Sequence, residues 1–280
     1  MPDDVNASTP AASGELRPAA TVLLVRDRPD GVEVFLMERS QVGQFGGLHV
    51  FPGGKVDLAD HADSWATYTQ GLDDGVASKT LGLDRGGLGF WVACIRECFE
   101  EAGVLLATQR GGGLLPLNDP DRRALFGAYR DRINGREAGA FEEMCAQQEL
   151  LLAADHLAYL SHWITPRNLP KRFDTRFFVA RAPAEQEALH DGVETVESAW
   201  IRPEVALERV ESGGLNLISP TFKNLEAISG FGSTEALLEA KRAIDPATIP
   251  AIRPRMVSSD PGEFDEVIEV IGEGGRFSDA

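Results

Sequence analysis

The chain has 280 residues, 43% of them hydrophobic, enough to bury the core of one sizeable domain. Its 44 acidic against 27 basic side chains leave a net charge of −17, which argues against nucleic acid as a partner because neutralising phosphates requires clustered Lys and Arg. No run of about 18 apolar residues occurs, nor a basic start followed by an apolar block, so neither a membrane span nor a secretory leader is expected.

Residues 1–17 are small, polar and mildly acidic and read as a disordered tail. AATVLLVRD then forms a β-rich apolar run, PDG a turn and VEVFLMER a second strand, so residues 19–39 read as a hairpin. GQFGGLHVFPGG sets five glycines around the short run LHVF, a backbone that turns tightly and approaches something closely. Residues 61–88 are Gly- and Asp-rich and irregular, as in a surface insertion. From Leu88 to Ala102 the period turns helical, with Trp91, Cys94, Ile95, Cys98 and Ala102 on one side and Gly103 as the stop. Two charged helical stretches follow within 119–152, in a second insertion of about 110–152. HLAYLSHWITP, KRFDTRFFVAR and AWIRP read as strands, and helices are expected near 203–211, 220–229 and 233–242. The main domain thus runs over 18–245, followed by a Pro-spaced C-terminal extension over 246–280 whose segment EVIEVIGEGG alternates like a strand without an evident place.

Cys94, Cys98 and Cys145 are an odd set in a large chain and the five histidines are scattered, so neither a disulfide framework nor a zinc site is indicated. Cys94 and Cys98 are expected to be buried small apolar residues, and the compartment to be reducing, hence cytoplasmic.

The chemistry concentrates in RECFEEAG, residues 96–103. At about 100° per residue, Glu100 falls about 60° to one side of Glu97 and Glu101 about 40° to the other, so the three carboxylates share one face. Like charges at these spacings repel by roughly 0.2–0.5 kcal/mol per pair, and no Lys lies one turn away. A solvated acidic stripe is the ordinary reading. The other is a site for Mg²⁺ or Mn²⁺, hard cations that prefer oxygen ligands and keep waters for substrate phosphates.

Gly54, Asp60, Arg96, Glu97, Cys98, Glu100, Glu101, Gly103 and Val104 together resemble the Nudix box, G-x5-E-x7-R-E-U-x-E-E-x-G-U with U a bulky aliphatic residue. Three positions depart from it. Asp60 replaces the usual Glu, Cys98 replaces a larger aliphatic, and 35 residues rather than seven separate Asp60 from Arg96. The interruption is similar to that of the peroxisomal-type coenzyme A diphosphatases. LMERS before HVFPGG, and WITP before KRFDTRFF, resemble the same branch, with Gln44 roughly where an Arg is expected.

The resemblance implies a Nudix fold, an α/β/α sandwich around a mixed β-sheet, and a metal-dependent hydrolase. Its substrate would be a small nucleotide of the coenzyme A class, cleaved to 3′,5′-ADP and (acyl-)phosphopantetheine. Carried onto this chain, Glu97, Glu100 and Glu101 would hold Mg²⁺ or Mn²⁺, and Arg96 would pair with Asp60, one methylene shorter than the usual partner. Gly53 and Gly54 would bring the backbone to the metal, Arg39 would lie in the substrate-binding signature, and Glu194 or Glu197 would be the general base. In RFDTRFF, alternation places Arg172, Asp174 and Arg176 on one face, to grip a phosphate or to form a charge ladder. Trp163 and Phe178 are read as core residues, with stacking on adenine as the alternative. Competing functions are cleavage of ADP-ribose or another nucleoside-diphosphate compound, hinted at by Pro120 sixteen residues past the box, and a non-catalytic nucleotide-binding module.

Overall fold

A computed structural model describes residues 14–40, 46–109, 112–167, 169–190, 192, 195–260, 263–273 and 276–277. In chain order it places β1 (Leu16–Arg28), β2 (Gly31–Arg39), β3 (His49–Val50), β4 (Gly53–Lys55), α1 (Asp74–Leu81), α2 (Leu88–Ala102), β5 (Ala107–Gln109), α3 (Pro120–Asn134), α4 (Ala140–Gln147) and β6 (Leu150–Leu152). There follow β7 (Ala158–Ile164), β8 (Arg172–Arg181), β9 (Thr195–Ile201), α5 (Pro203–Glu211), α6 (Ser219–Ile228), α7 (Thr234–Arg242), β10 (Ala251–Asp260), β11 (Glu263–Glu273) and β12 (Arg276–Phe277). The first strand opens at Leu16, inside the segment read as a tail.

The large sheet runs β12-β11-β10-β7-β8-β1-β2-β3, with β4 on β1 and β9 on β2. Strands β1 and β8 are parallel, as are β7 and β10, and the other pairs are antiparallel, so the sheet is mixed as expected. One edge of β1 is shared: its start pairs with β4 (Ala20↔Gly54, Thr21↔Gly53) and its end with β2 (Val25↔Val34). The sheet therefore forks at Val22–Leu24, and the N–H of Val22 reaches the carbonyl of Pro52 between the two branches, at 2.9 Å.

Alternation along β1 sends Ala20, Val22 and Leu24 into a core with α2, and Leu23 and Val25 into a second core with α6 and α7. Helices cover both faces, the α/β/α sandwich. The strands of the C-terminal extension join this sheet: β10 lies parallel to β7 through Ala251↔His162 and Ile252↔Trp163, and β11 is its antiparallel partner.

Helix α2 has the predicted limits, ended by Gly103 at φ +67°, a left-handed conformation costly for other residues. It is buried on nearly every side, Cys94 and Cys98 included, and this pushes both thiols above their usual range. The cause is the 61–88 insertion, which is more than surface chain. Its helix α1 buries Ala77 and Leu81 in the α2 core, and Asp74 accepts from the N–H groups of Gly86 and Leu88 at 2.9 and 3.0 Å, where α2 begins. Burial raises that carboxyl, but those two donors hold it below its usual value.

Candidate metal and active site

Two short pieces of backbone meet α2 to make the site. Strand β4 supplies Gly53 and Gly54. A Cβ on Gly54 would lie 2.5 Å from the carboxyl carbon and Oε2 of Glu97, so only glycine lets the strand approach this glutamate. The N–H of Gly53 donates to Oε2 of Glu101 at 2.8 Å, which aims that carboxylate at the same strand. The glycines thus lie where the sequence put them.

Arg96 is the hub. Its Nε and Nη2 bind Asp60 Oδ1 and Oδ2, both at 2.9 Å, in a two-pronged pair. The shorter aspartate suffices because a 3-10 turn, Leu58–His61, brings its backbone close, with the N–H of Asp57 also on Asp60 Oδ2 at 2.8 Å. Nη2 further donates to the carbonyl of Lys55 at 2.9 Å, pinning the end of β4.

Nη1 of Arg96 donates to Oε1 of Glu97 at 2.9 Å and of Glu100 at 2.7 Å. The relief that no Lys one turn away provides comes in part from the preceding arginine. Nor is the face fully solvated: the side chains of Glu97 and Glu100 are only 13% and 19% exposed, and Glu101 is buried. Burial first, against the pull of Arg96, pushes Glu97 up to about 7 and raises Glu100 as well.

One guanidinium faces the carboxylates of Asp57, Asp60, Glu97 and Glu100, and Glu101 points at the neighbouring strand, so carboxylates outnumber this guanidinium. The donor atoms are all oxygen, the chemistry of a hard divalent cation. No three carboxylate, imidazole or thiol groups among the described residues surround a single point; Arg96 Nη1 occupies the space between Glu97 and Glu100. Their Oε2 atoms make no hydrogen bond among the described residues, and a cation bound there would supply the missing positive charge.

Other predicted residues lie apart. Arg39 ends β2, where its N–H and carbonyl pair with Leu48 and Gly47. Beside it a cavity of about 670 Å³ is lined by Glu38, Gly47, His49, Leu215 and Asn216, and Val50, Phe51 and Pro52 alone separate His49 from Gly53. Glu197 is exposed on β9 opposite Glu38 of β2; Glu194 and Gln44 fall outside the described residues.

Arg172 and Arg176 do not form a phosphate grip at the surface. They share a face with Asp174 as alternation predicted, but that face looks inward, and both arginines are among the largest fully buried side chains. Arg176 bonds Asp174 and His162 and lies 5.6 Å above the Phe90 ring, while Arg172 Nε reaches the carbonyl of Thr165 at 3.3 Å. A buried charge needs such partners, and Phe90 of α2 covers Arg176. Phe178 and Trp163 are core residues as read, Phe178 with its ring 4.7 Å from that of Trp91.

The sequence reading missed Arg130 on α3, whose Nε and Nη2 donate to the backbone carbonyls of Glu100 and Glu101 at 2.9 and 2.8 Å. It missed Gln186 too, which makes three bonds to Leu105 and Leu115 just past α2. No local pattern distinguishes Arg130 from the other arginines of its helix.

A family model described as the NUDT19 Nudix domain matches residues 77–228. The human protein named acyl-coenzyme A diphosphatase NUDT19 is 29% identical over 265 residues, covering 82% of this chain and 70% of that protein. Its namesake in Xenopus laevis is 27% identical over 236 residues, covering 73% of this chain and 62% of that protein. Among solved structures, a Nudix hydrolase from Alicyclobacillus acidocaldarius matches with a TM-score of 0.64 at 25% identity, covering 81% of this chain and 96% of that one.

Proposed function

This chain belongs to the NUDT19 branch of the Nudix hydrolases, and from that premise we propose that it hydrolyses the diphosphate of coenzyme A or acyl-coenzyme A to 3′,5′-ADP and (acyl-)phosphopantetheine. The observation that carries the reading is the excess of carboxylate over guanidinium at the meeting of β4 and α2. Support for the substrate comes from the names of the relatives, which span most of this chain.

Nudix hydrolases work with divalent metal ions, and for this chain we assign Mg²⁺ or Mn²⁺, held by Glu97, Glu101 and Glu100. When bound, the ion polarises phosphoryl oxygens and makes water a better nucleophile. The protein's own part is positional. Gly54 leaves room at Glu97, the Gly53 N–H orients Glu101, and the Asp60 pair anchors Arg96, which in turn aligns Glu97 and Glu100. Glu194 or Glu197 would take the proton of the attacking water. The 670 Å³ cavity beside Arg39, joined to the glycines by one stretch of chain, is a suitable place for the rest of the substrate. The three free, buried cysteines support a reducing compartment, and the cytoplasm is our assignment.

Incubating the protein with Mg²⁺ and, separately, coenzyme A, an acyl-coenzyme A, ADP-ribose, NADH and a diadenosine polyphosphate tests this, with products identified by mass. Coenzyme A and its ester should be cleaved well ahead of the others. Equal turnover of all would reduce the protein to an unselective diphosphatase, and no turnover of any would favour a binding module.

A further inference from the structure

We propose that Arg130 is a positioning residue for the metal-holding glutamates, one that fixes the last turn of α2 and joins it to the 183–190 loop. The inference rests on the function proposed above, since holding Glu100 and Glu101 in place matters only if they bind a cation.

An α-helix ends with four carbonyls that have no partner within the helix. In α2 these belong to Phe99, Glu100, Glu101 and Ala102, and each has an identifiable donor. The N–H of Gly103 serves Phe99 and the N–H of Leu189 serves Ala102, both at 3.0 Å. The two that remain belong to the glutamates, and Arg130 reaches both, Nε on Glu100 and Nη2 on Glu101, with Asn134 Nδ2 a longer second donor to Glu100 at 3.4 Å. Its Nη2 also reaches the carbonyl of Leu189 at 3.3 Å. One planar fork therefore holds the backbone of two ligands and the loop that leads towards the candidate bases. A positive charge at this end also suits the helix dipole.

Close packing locks the fork. A Cβ on Gly103 would be 2.9 Å from Arg130 Nη1, so the glycine that stops the helix also admits the guanidinium. Gln186 clamps the same loop onto Leu105 and Leu115. If the fork were lost, the carbonyls of Glu100 and Glu101 would lose the two donors that fix this turn against α3, and the two side chains would be held less closely in register. Lysine cannot replace the fork, because it offers a point charge rather than two parallel donors.

The test compares Arg130→Met and Arg130→Lys with Arg132→Met, which removes an arginine from the same helix that pairs with Glu137 and Glu143 and lies over the Tyr129 ring. Mn²⁺ affinity is read by water-proton relaxation, and kcat and KM are measured with coenzyme A and Mg²⁺. Both Arg130 variants should bind Mn²⁺ about tenfold or more weakly, the usual effect of losing a residue that orients metal ligands. They should lose kcat by about tenfold or more, with KM changed less than about threefold. Methylguanidinium added to Arg130→Ala should recover part of both, and Arg132→Met should match wild type. Wild-type Mn²⁺ affinity in both Arg130 variants, or an equal loss in Arg132→Met, would overturn the inference. If Arg130→Met does not fold, Arg130→Lys supplies the comparison. Wild type that binds Mn²⁺ without cleaving coenzyme A would sink the substrate reading and leave the Mn²⁺ comparison to decide the role of Arg130. Wild type that binds no Mn²⁺ would overturn both.

Discussion

Replacing Glu97 by glutamine should make the metal-free protein more stable above neutral pH while removing its activity. Glu97 has a side chain only 13% exposed, and burial raises its carboxyl from an ordinary 4.5 to about 7. The folded state therefore binds a proton more tightly than the unfolded chain, so stability is fully present below pH 4.5 and is lost as pH rises to about 7 and beyond. At about 1.36 kcal/mol per pH unit, the loss attributable to this group approaches about 3 kcal/mol by pH 8. Glutamine has no such penalty, and its amide oxygen can still accept from Arg96. Urea denaturation in EDTA from pH 4.5 to 8.5 should show the wild-type minus Glu97→Gln difference falling by up to about 3 kcal/mol across that range. Mg²⁺ at a thousand times its Kd should reverse the order, since it adds about 4.1 kcal/mol to the form that binds it. A difference independent of pH, or a variant less stable at pH 8 without metal, would refute the view that this carboxylate is held at a cost for a cation.

Gly54→Ala should fold but lose about 100-fold in kcat, the scale expected when a reacting group is displaced by about 1 Å, as steady-state kinetics beside a circular-dichroism melt would show. Asp60→Ala removes the two-pronged partner of Arg96 but leaves it Glu97, Glu100 and the Lys55 carbonyl, and should cost about 1.5–3 kcal/mol in chemical denaturation, the value of hydrogen bonds to a charged group. Asp60→Glu, a return to the usual family residue, should not stabilise this chain, because both oxygens already sit 2.9 Å from Arg96 and another methylene overpacks the site by about 1–3 kcal/mol in the same assay. Asp74→Ala removes the acceptor at the start of α2 and should lower stability by about 1 kcal/mol, the value of a helix cap.

Much of the fold was legible because its signals are local. The apolar stripe from Trp91 to Ala102 with a glycine after it defines α2, and the alternation in KRFDTRFFVAR identifies β8 and its faces. Periodicity says which residues share a face but not whether that face looks inward. Arg172 and Arg176 were grouped correctly and placed wrongly for that reason, since Phe90 of α2, which covers Arg176, lies far away in sequence. The glutamates were legible through type and spacing, whereas their burial depends on β4 and on Arg96, which distant residues of the chain bring against them. Arg130 and Gln186 act through backbone carbonyls of distant residues, contacts that leave no pattern in a single sequence. The bridge from Arg96 to Glu97 and Glu100 could have been inferred, since an arginine four residues before a glutamate on a helix is within reach of it.

Crystals of the protein soaked in Mn²⁺ and measured at the manganese absorption edge put the account to its most direct test. An anomalous peak bounded by Glu97 and Glu101, with Arg96 drawn back from Glu97, is the predicted result. A site without manganese, in which Nη1 of Arg96 still spans Glu97 and Glu100, would contradict it.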